Sequence, residues 1–256
     1  MKRLTTSILA LGLLGWLQAA PPAAAAGVET PILKSHWHHD GIFGTFDRAA
    51  VQRGLQVYLG VCSACHAAKY FKFRNLAALG YGEDDIKAIA AQFEVTDGPN
   101  DAGEMFQRPG RPSDGKPAPF PNEQAARAAN GGAYPLDLSL IAKARGGGTD
   151  YLYSLLVGYE EPPAGVDVPP GMYYNKHFPG HLIAMPAILQ DDAVTYADGV
   201  KATKVQMAQD VAQYLTWLAE PKMEARKQTG VKVMLFLVIL TGLLYAYKRR
   251  VWADVH

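Results

Sequence analysis

The stretch Cys62-Ser63-Ala64-Cys65-His66 decides how this chain of 256 residues folds. It contains both of the chain's cysteines and places a histidine directly after the second. In a C-x-x-C-H pattern two thiols lie one helical turn apart, so each can add to a vinyl group of the same porphyrin, and the histidine can offer a ring nitrogen to the iron. The pattern therefore predicts one c-type haem, attached covalently through Cys62 and Cys65 and ligated by His66.

Two other kinds of site use closely spaced cysteines. A redox-active C-x-x-C pair belongs in a βαβ context, and a zinc site needs two further Cys or His ligands at comparably short spacing. Neither context surrounds residues 62–66. Haem is therefore the favoured interpretation.

The first 26 residues have the composition of a secretory signal peptide. Lys2 and Arg3 precede a largely apolar run, and the alanines before Gly27 supply A-x-A-like cleavage sites. A mitochondrial transit peptide would be amphipathic and rich in arginine. We therefore predict that residues 1–26 are removed, and that residues 27–223 form a domain exported across a bacterial inner membrane to the periplasm.

Residues 231–247 form a second apolar segment, in which Lys232 is the only charged residue. At about 1.5 Å per residue its helix would extend about 25 Å, slightly less than the ~30 Å hydrocarbon core of a bilayer. A buried core helix is the alternative, but the basic cluster at residues 248–250 follows at once, which is typical of a cytoplasmic flank. We predict a single membrane-anchoring helix over residues 224–250 and a cytoplasmic tail at 251–256.

The charge of the exported part is uneven. Residues 27–225 contain 17 Lys and Arg against 23 Asp and Glu, and residues 83–104, with seven acids against Lys87 alone, account for the whole of this excess of six. Such a run is either a solvated face or a docking surface that attracts a basic partner. Nucleic-acid binding is disfavoured, because its electrostatic footprint is basic.

Helical periodicity dominates the exported part, and strand-like alternation is scarce, so we predict a mostly α domain with long loops. The clearest amphipathic pattern covers residues 203–218 and ends before Pro221. Further helices are predicted at residues 47–59, 84–93, 137–145 and 150–157. Residues 96–122 and 160–180 are predicted to be loops, and the glycines at 146–148 to end a helix.

The second axial position of the iron decides the chemistry. A methionine there closes the iron to substrates and makes an electron carrier, whereas an open position permits peroxidase or gas-binding chemistry. Met185 is the best candidate for this ligand from its neighbours in sequence, since Pro186 makes its apolar loop rigid. Other residues remain possible ligands. The rivals are Met105, Met172, Met207, Met223, His36, His38, His39, His177 and His181.

Two of these rivals have other expected roles. Met207 is expected to pack in the core, because it lies on the apolar stripe of residues 203–218. The cluster His36-Trp37-His38-His39 is expected to pack at the surface or to make an interfacial contact.

Longer segments resemble the cytochrome c1 family, the membrane-anchored haem subunits of ubiquinol–cytochrome c reductase (the cytochrome bc1 complex). The likeness covers nearly all of the chain after the signal peptide. It rests on R-G-L-Q-V-Y-L-G-V-C-S-A-C-H at residues 53–66, V-T-D-G-P-N-D-A-G-E-M-F-Q-R-P-G at 95–110, A-R-A-A-N-G-G-A-Y-P-L-D-L-S at 126–139, G-M-Y-Y-N-K-H-F-P-G at 171–180, I-A-M-P at 183–186 and A-E-P-K-M-E-A-R-K at 219–227.

This resemblance implies a class I cytochrome c-like haem domain with Met185 as the second iron ligand. It also implies that Arg145 pairs with a haem propionate, which an arginine can meet with two parallel hydrogen bonds, and that Tyr151 lies in the haem surroundings. One departure is Leu136, which stands where many members have a second proline. A further departure is the lack of an extra cysteine pair for the disulfide of some bacterial members.

The implied function is a one-electron relay. A Rieske iron–sulfur protein, working with a cytochrome b that oxidises quinol, would reduce the haem, and a soluble c-type cytochrome would accept the electron. The assembly would be dimeric. The alternatives are an anchored cytochrome that donates to a terminal oxidase or a denitrification enzyme, a haem peroxidase, and a structural subunit with an inert haem.

Overall fold

Helices account for most of the regular structure in residues 30–254, the part of the chain that the computed structural model describes. The predicted signal peptide, residues 1–26, lies outside this part. The helices are α1 (Arg48–Gly60), α2 (Glu83–Ala90), α3 (Glu123–Ala129), α4 (Ile141–Ala144), α5 (Gly148–Val157), α6 (Lys204–Ala219) and α7 (Met223–Val251), with short 3-10 helices at Cys62–Ala64 and Phe73–Leu79. The predicted mostly α architecture with long loops is confirmed.

Helices α1 and α6 form the centre of the domain. Each begins at a side chain that caps its free amide groups, as Asp47 accepts hydrogen bonds from two amides of α1 and Thr203 accepts one from Gln206 of α6. The helices predicted at residues 47–59 and 203–218 are therefore confirmed to within a residue.

The two helices cross in close contact at Gly54. A Cβ atom at this position would lie 2.1 Å from the carbonyl oxygen of Asp210 and 2.6 Å from the Cβ atom of Tyr214. Only glycine permits this approach of the two backbones. Large apolar side chains are fully buried around the crossing, and they include Tyr58, Leu55, Val51, Met207, Val211, Tyr214 and Trp217. The expected core role of Met207 is confirmed.

A buried ion pair lies beside this crossing. Arg53 donates to both carboxylate oxygens of Asp210 at 2.9 and 3.0 Å, and the Asp210 side chain is only 1% exposed. A third hydrogen bond from Arg53 reaches Asp198 at 2.9 Å. These contacts satisfy a charge that would otherwise be costly to bury.

Two antiparallel hairpins interrupt the predicted loops. Strand β1 (Glu94–Asp97) pairs with β2 (Phe106–Pro109), and β3 (Tyr173–Tyr174) pairs with β4 (Leu182–Ile183). Strands of four and two residues are too short to show a period-two pattern, so the sequence prediction of loops was wrong here.

The predicted helix at residues 137–145 was also wrong over its first half. The Asp137 carboxylate accepts hydrogen bonds from the amides of Lys69 and Ser139, which holds a turn before α4. The glycines at 146–148 do not only end a helix, because Gly147 is in a left-handed conformation (φ +85°) and leads directly into α5. Helix α2 ends at Ala90, three residues before the predicted end at 93.

The segment before α1 is bound to α5 by the Asp150 carboxylate. Asp150 accepts hydrogen bonds from the Trp37 indole (2.7 Å), the Ser35 amide (3.1 Å) and the Lys34 ammonium (3.1 Å). Trp37 is buried by this arrangement. His39 is buried too, so the expectation of a surface role was wrong for these two members of the cluster at residues 36–39.

Helix α7 leaves the domain and carries exposed apolar side chains over most of its length. It extends one residue beyond the predicted bounds of 224–250 at each end. Within residues 30–254 it is the one helix that is long and apolar enough to span a membrane, and none of its apolar window is buried against the domain.

Side chains of the first α7 turns fasten this helix to the domain. Arg48 donates to both oxygens of Glu224 (2.9 and 2.7 Å), and the Phe46 amide donates to Glu224 at 2.7 Å. Lys227 donates to the carbonyl oxygens of His39 (2.6 Å) and Gly44 (3.2 Å). The helix and the domain are therefore joined by charged hydrogen bonds, not by a flexible linker.

Candidate haem site

The C-x-x-C-H segment forms a tight helical turn immediately after α1. Within it the amides of Cys65 and His66 donate to the Cys62 carbonyl oxygen at 3.2 and 2.9 Å. The Ser63 hydroxyl donates to the Leu59 carbonyl (2.9 Å), which ties the turn to the end of α1. The fold thus holds the two cysteines and the histidine within one turn, as covalent haem attachment requires.

The His66 ring has the orientation and the tautomer of a metal ligand. Its Nδ1 lies 2.7 Å from the carbonyl oxygen of Leu136, a group that can only accept, so Nδ1 carries the ring proton and donates. Burial lowers the pKa of the imidazole and outweighs the opposing effects of the Leu136 carbonyl and of Asp137. The ring is therefore neutral near pH 7, and the lone pair of Nε2 is available to a metal.

The hydrogen bond to the backbone of residue 136 also explains why leucine can replace the proline that many family members have there. Because His66 donates to a backbone carbonyl, leucine and proline can serve equally well at this position. The amide of Leu138 donates in turn to the carbonyl of Ala67 at 2.8 Å, which holds the two segments side by side.

The two cysteines differ in their surroundings. Cys62 is buried and Cys65 is exposed, and neither sulfur forms a disulfide. Burial raises the pKa of the Cys62 thiol to about 12, so this thiol is protonated at neutral pH. Both sulfurs lie in the same turn as the imidazole, and the three residues together fit a c-type haem.

The two remaining predicted haem neighbours, Arg145 and Tyr151, lie together. Arg145 is an exposed residue at the end of α4, and Tyr151 is buried in the first half of α5. Burial raises the pKa of the Tyr151 hydroxyl, and the nearby Arg145 charge acts in the opposite direction. The Arg145 charge is therefore felt at the Tyr151 hydroxyl.

Tyr159 holds the backbone of Met185 in place. Burial is the main cause that raises the pKa of Tyr159, and proximity to Tyr151 adds to it. The Tyr159 hydroxyl donates to the Met185 carbonyl at 2.9 Å and so fixes the loop that follows β4. That Arg145, Tyr151 and Met185 surround one haem stays a prediction.

The position of the Met185 thioether relative to His66 stays a prediction. The half-buried side chain of Met185 is consistent with this prediction, and so are the surroundings of three rival methionines. Met105 is 61% exposed, and Met207 and Met223 are packed in the core. Among the histidines, His39 bonds to Thr149 at 3.1 Å through Nε2. His177 bonds to the Pro31 carbonyl through Nδ1 and leaves a buried Nε2 without a partner among the described residues, as His66 leaves its Nε2 free, so hydrogen bonding does not exclude His177 as a ligand.

Two further participants were missed by the sequence analysis. Tyr159 anchors Met185, and the Lys116 ammonium donates to the Ser63 carbonyl inside the C-x-x-C-H turn at 3.2 Å. Burial lowers the pKa of Lys116. Neither residue belongs to a recognisable motif, since each acts through a contact across 26 or more positions of the chain.

The acidic residues of α2 form an exposed surface. The side chains of Glu83 and Asp84 are 82% and 100% exposed, and Lys87 lies 2.9 and 3.6 Å from them. Farther along the run Asp97 pairs with Arg108, and Glu94, Asp101 and Glu104 are exposed. The excess negative charge therefore extends from the beginning of α2 to Glu104.

Known proteins match the chain over almost its whole length. The Cytochrome C1 family matches residues 37–255. Cytochrome c1 of Rhodospirillum rubrum is 48% identical over 265 residues, which cover 97% of each protein. Cytochrome c1-2 of Solanum tuberosum, a mitochondrial haem protein, is 52% identical and covers 93% of this chain and 91% of its own length.

A third relative is longer. The protein named cytochrome b/c1 from Bradyrhizobium diazoefficiens is 52% identical over 86% of this chain, and the match spans only 35% of that protein. The expectations of haem binding, electron transport and a cytochrome c-like domain with one C-terminal apolar helix are confirmed by the family match. This chain belongs to the cytochrome c1 family, the haem-bearing electron-transfer subunits of the cytochrome bc1 complex.

Proposed function

We propose that this chain takes single electrons from a Rieske iron–sulfur protein and passes them to a soluble c-type cytochrome. The observation that carries the proposal is the orientation of His66, whose Nδ1–H donates to Leu136 and leaves Nε2 for a metal. When bound, a haem c supplies a ferric–ferrous couple that stores one electron. The residues of the site would hold the haem, close its iron to substrates and present its edge to partners.

Cys62 and Cys65 would bind the haem covalently, and His66 and Met185 would be its two axial ligands. The Leu136 carbonyl increases the basicity of the His66 ring by accepting a hydrogen bond from its Nδ1–H. The Tyr159 hydroxyl holds the backbone of Met185, so that the thioether is supplied from a fixed loop. A His/Met pair closes the iron to peroxide and favours electron transfer over catalysis.

Arg145 would meet a haem propionate, and Tyr151 would line the haem surroundings. The exposed guanidinium next to a buried tyrosine supports this role, because a cation at the edge of an apolar site can pair with a carboxylate there. This pairing would both position the haem and offset the negative charge of its propionate.

The soluble acceptor would dock at the acidic surface of α2. Attraction between this surface and a basic cytochrome speeds the encounter without requiring a tight complex, which suits rapid turnover. The double change Glu83→Gln and Asp84→Asn should slow reduction of a basic c-type cytochrome by about threefold to tenfold at low salt, and by little at high salt. The matched control, Glu161→Gln with Asp167→Asn, removes two exposed acids elsewhere and should leave the rate unchanged.

We further propose that α7 anchors the chain in a bacterial inner membrane, with the haem domain in the periplasm and residues 251–256 in the cytoplasm. The signal-like residues 1–26 and the basic residues 248–250 both predict this orientation. The partners would be a cytochrome b and a Rieske protein in a dimeric complex. The relative that is named for both b and c1 supports a cytochrome b partner.

A visible spectrum of membranes with and without ascorbate, combined with replacement of Met185, tests the proposal. The wild-type protein should show a reducible c-type haem with the weak far-red absorption of His/Met-ligated ferric iron. Met185→Leu should abolish that absorption and the turnover while the protein still assembles. Met105→Leu, which changes an exposed methionine, is the matched control and should leave both unchanged.

Two results would contradict the proposal. A five-coordinate ferric spectrum with reactivity toward peroxide would indicate a haem peroxidase. Purification with a terminal oxidase instead of cytochrome b haems would indicate an anchored cytochrome of another electron-transfer chain.

A further inference from the structure

An open groove lies where α7 leaves the haem domain. Its volume is about 390 Å³, and its walls are the loop at residues 42–45 and the first three turns of α7. None of the residues that line it belongs to the haem site. We call it the junction groove.

One wall of the junction groove is apolar and exposed. Ile42 and Phe43 are 67% and 83% exposed, although both are large apolar side chains at the surface of a folded domain. Val231, the first residue of the apolar segment of α7, lines the groove opposite them. Adjacent exposed apolar residues of this kind mark a binding surface for a protein or a membrane.

The polar end of the groove is positively charged. Its one carboxylate, Glu224, is neutralised by the two-pronged contact with Arg48 and accepts a further bond from the Phe46 amide. Lys227 uses two of its three N–H donors on backbone carbonyls, which leaves one for a ligand. Lys232 is exposed at the rim.

The depth of Lys227 matches that of lipid phosphates, and Lys232, one residue beyond Val231, can reach the same level by extending its long side chain. Lys227 precedes Val231 by one helical turn, or about 6 Å along the helix axis. The headgroup region of a bilayer extends about 5–7 Å beyond each face of the hydrocarbon core. If the core begins near Val231, the Lys227 ammonium lies at the level of the phosphates, and Phe43 lies at the boundary of the acyl chains.

We propose that the junction groove binds one anionic phospholipid from the leaflet on the haem-domain side. The phosphate would contact the free N–H of Lys227 and the ammonium of Lys232, and an acyl chain would pack against Phe43, Ile42 and Val231. The apolar segment of α7 is slightly short for a bilayer, so a lipid held by the domain also shields the beginning of this helix.

The test uses the full-length haem-loaded protein in detergent micelles. Native mass spectrometry measures how tightly phosphatidylglycerol and phosphatidylcholine of equal chain length are retained. We expect a clear preference for phosphatidylglycerol. Lys232→Gln should weaken that preference about fivefold, and Phe43→Ser should weaken the retention of both lipids about tenfold. Both side chains are exposed, so neither change should disturb the fold.

Lys222→Gln is the matched control, because this exposed lysine lies outside the groove. It should leave the lipid affinity unchanged. Equal retention of the two lipids, or equal effects of Lys222→Gln and Lys232→Gln, would overturn the proposal. Displacement of the lipid by inorganic phosphate alone would show a simple anion site. Binding of a partner protein at Phe43 with no lipid retention would show a protein interface, and it would overturn the proposal too.

Discussion

The glycine at the crossing of α1 and α6 provides the sharpest test of how the domain is held together. In Gly54→Ala the new methyl group would lie 2.1 Å from the Asp210 carbonyl oxygen and 2.6 Å from the Asp210 carbonyl carbon. These are backbone atoms, so no side-chain rotation can relieve the overlap. The helices would have to move apart by about 1.3 Å to restore ordinary van der Waals contact.

The expected cost follows from this separation. Overpacking a well-packed core costs about 1–3 kcal/mol, and a backbone obstacle indicates the upper end of that range. The higher helix propensity of alanine than of glycine stabilises the helix by about 1 kcal/mol. We therefore expect Gly54→Ala to lower the free energy of unfolding by about 2 kcal/mol, and to lower the Tm by about 4–8 °C for a chain of this size.

Thermal unfolding of the haem-loaded protein in detergent, followed by circular dichroism, measures the effect. Gly60→Ala is the matched control on the same helix, because its Cβ atom would meet only a Val194 methyl group at 3.2 Å. That side chain can adjust, so the change in stability should stay below about 1 kcal/mol. A Gly54→Ala protein as stable as the Gly60→Ala protein would refute the close-contact argument.

Three more predictions concern polar contacts. Hydrogen bonds to the Asp150 carboxylate outweigh its burial and hold its pKa below the usual value, so it stabilises the fold above the unfolded pKa of about 4. The free energies of unfolding of the wild type and Asp150→Asn, measured by urea titration, should therefore differ by about 2 kcal/mol at pH 7, and this difference should vanish as the pH falls through the folded pKa. A difference that does not change with pH would contradict this. Tyr159→Phe removes the hydrogen bond to the Met185 carbonyl and should destabilise the native position of the Met185 loop by about 1 kcal/mol. In a spectral titration, about fivefold less imidazole should then displace the native iron ligand. An unchanged midpoint of this titration would contradict the prediction. Arg53→Met should destabilise the domain by about 3 kcal/mol in chemical unfolding, and a second change, Asp210→Asn, should recover part of that loss.

The sequence predicted those parts of the molecule whose signals are local. The C-x-x-C-H turn, the capped helices α1 and α6 and the apolar helix α7 each depend on spacing within a few turns of the chain. The core position of Met207 follows in the same way from the stripe of α6.

The parts that were missed depend on contacts between distant residues. The acceptor of the His66 proton lies 70 positions away at Leu136, and the anchor of Met185 lies 26 positions away at Tyr159. The turn at Asp137 replaces a predicted helix because its carboxylate is used by the amide of Lys69, 68 positions away. No periodicity within a single segment reports such pairings, and strands as short as β3 and β4 carry too few residues to show one.

The contacts between α7 and the domain bear on how freely the two can move. Glu224 and Lys227 join the first turns of α7 to Arg48 and to two backbone carbonyls, so swinging of the domain on α7 would require these contacts to break. If α7 spans a membrane, these contacts would hold the C-x-x-C-H turn at one height above it. In the relay that we propose, the electron donor would then have to approach the turn at that height.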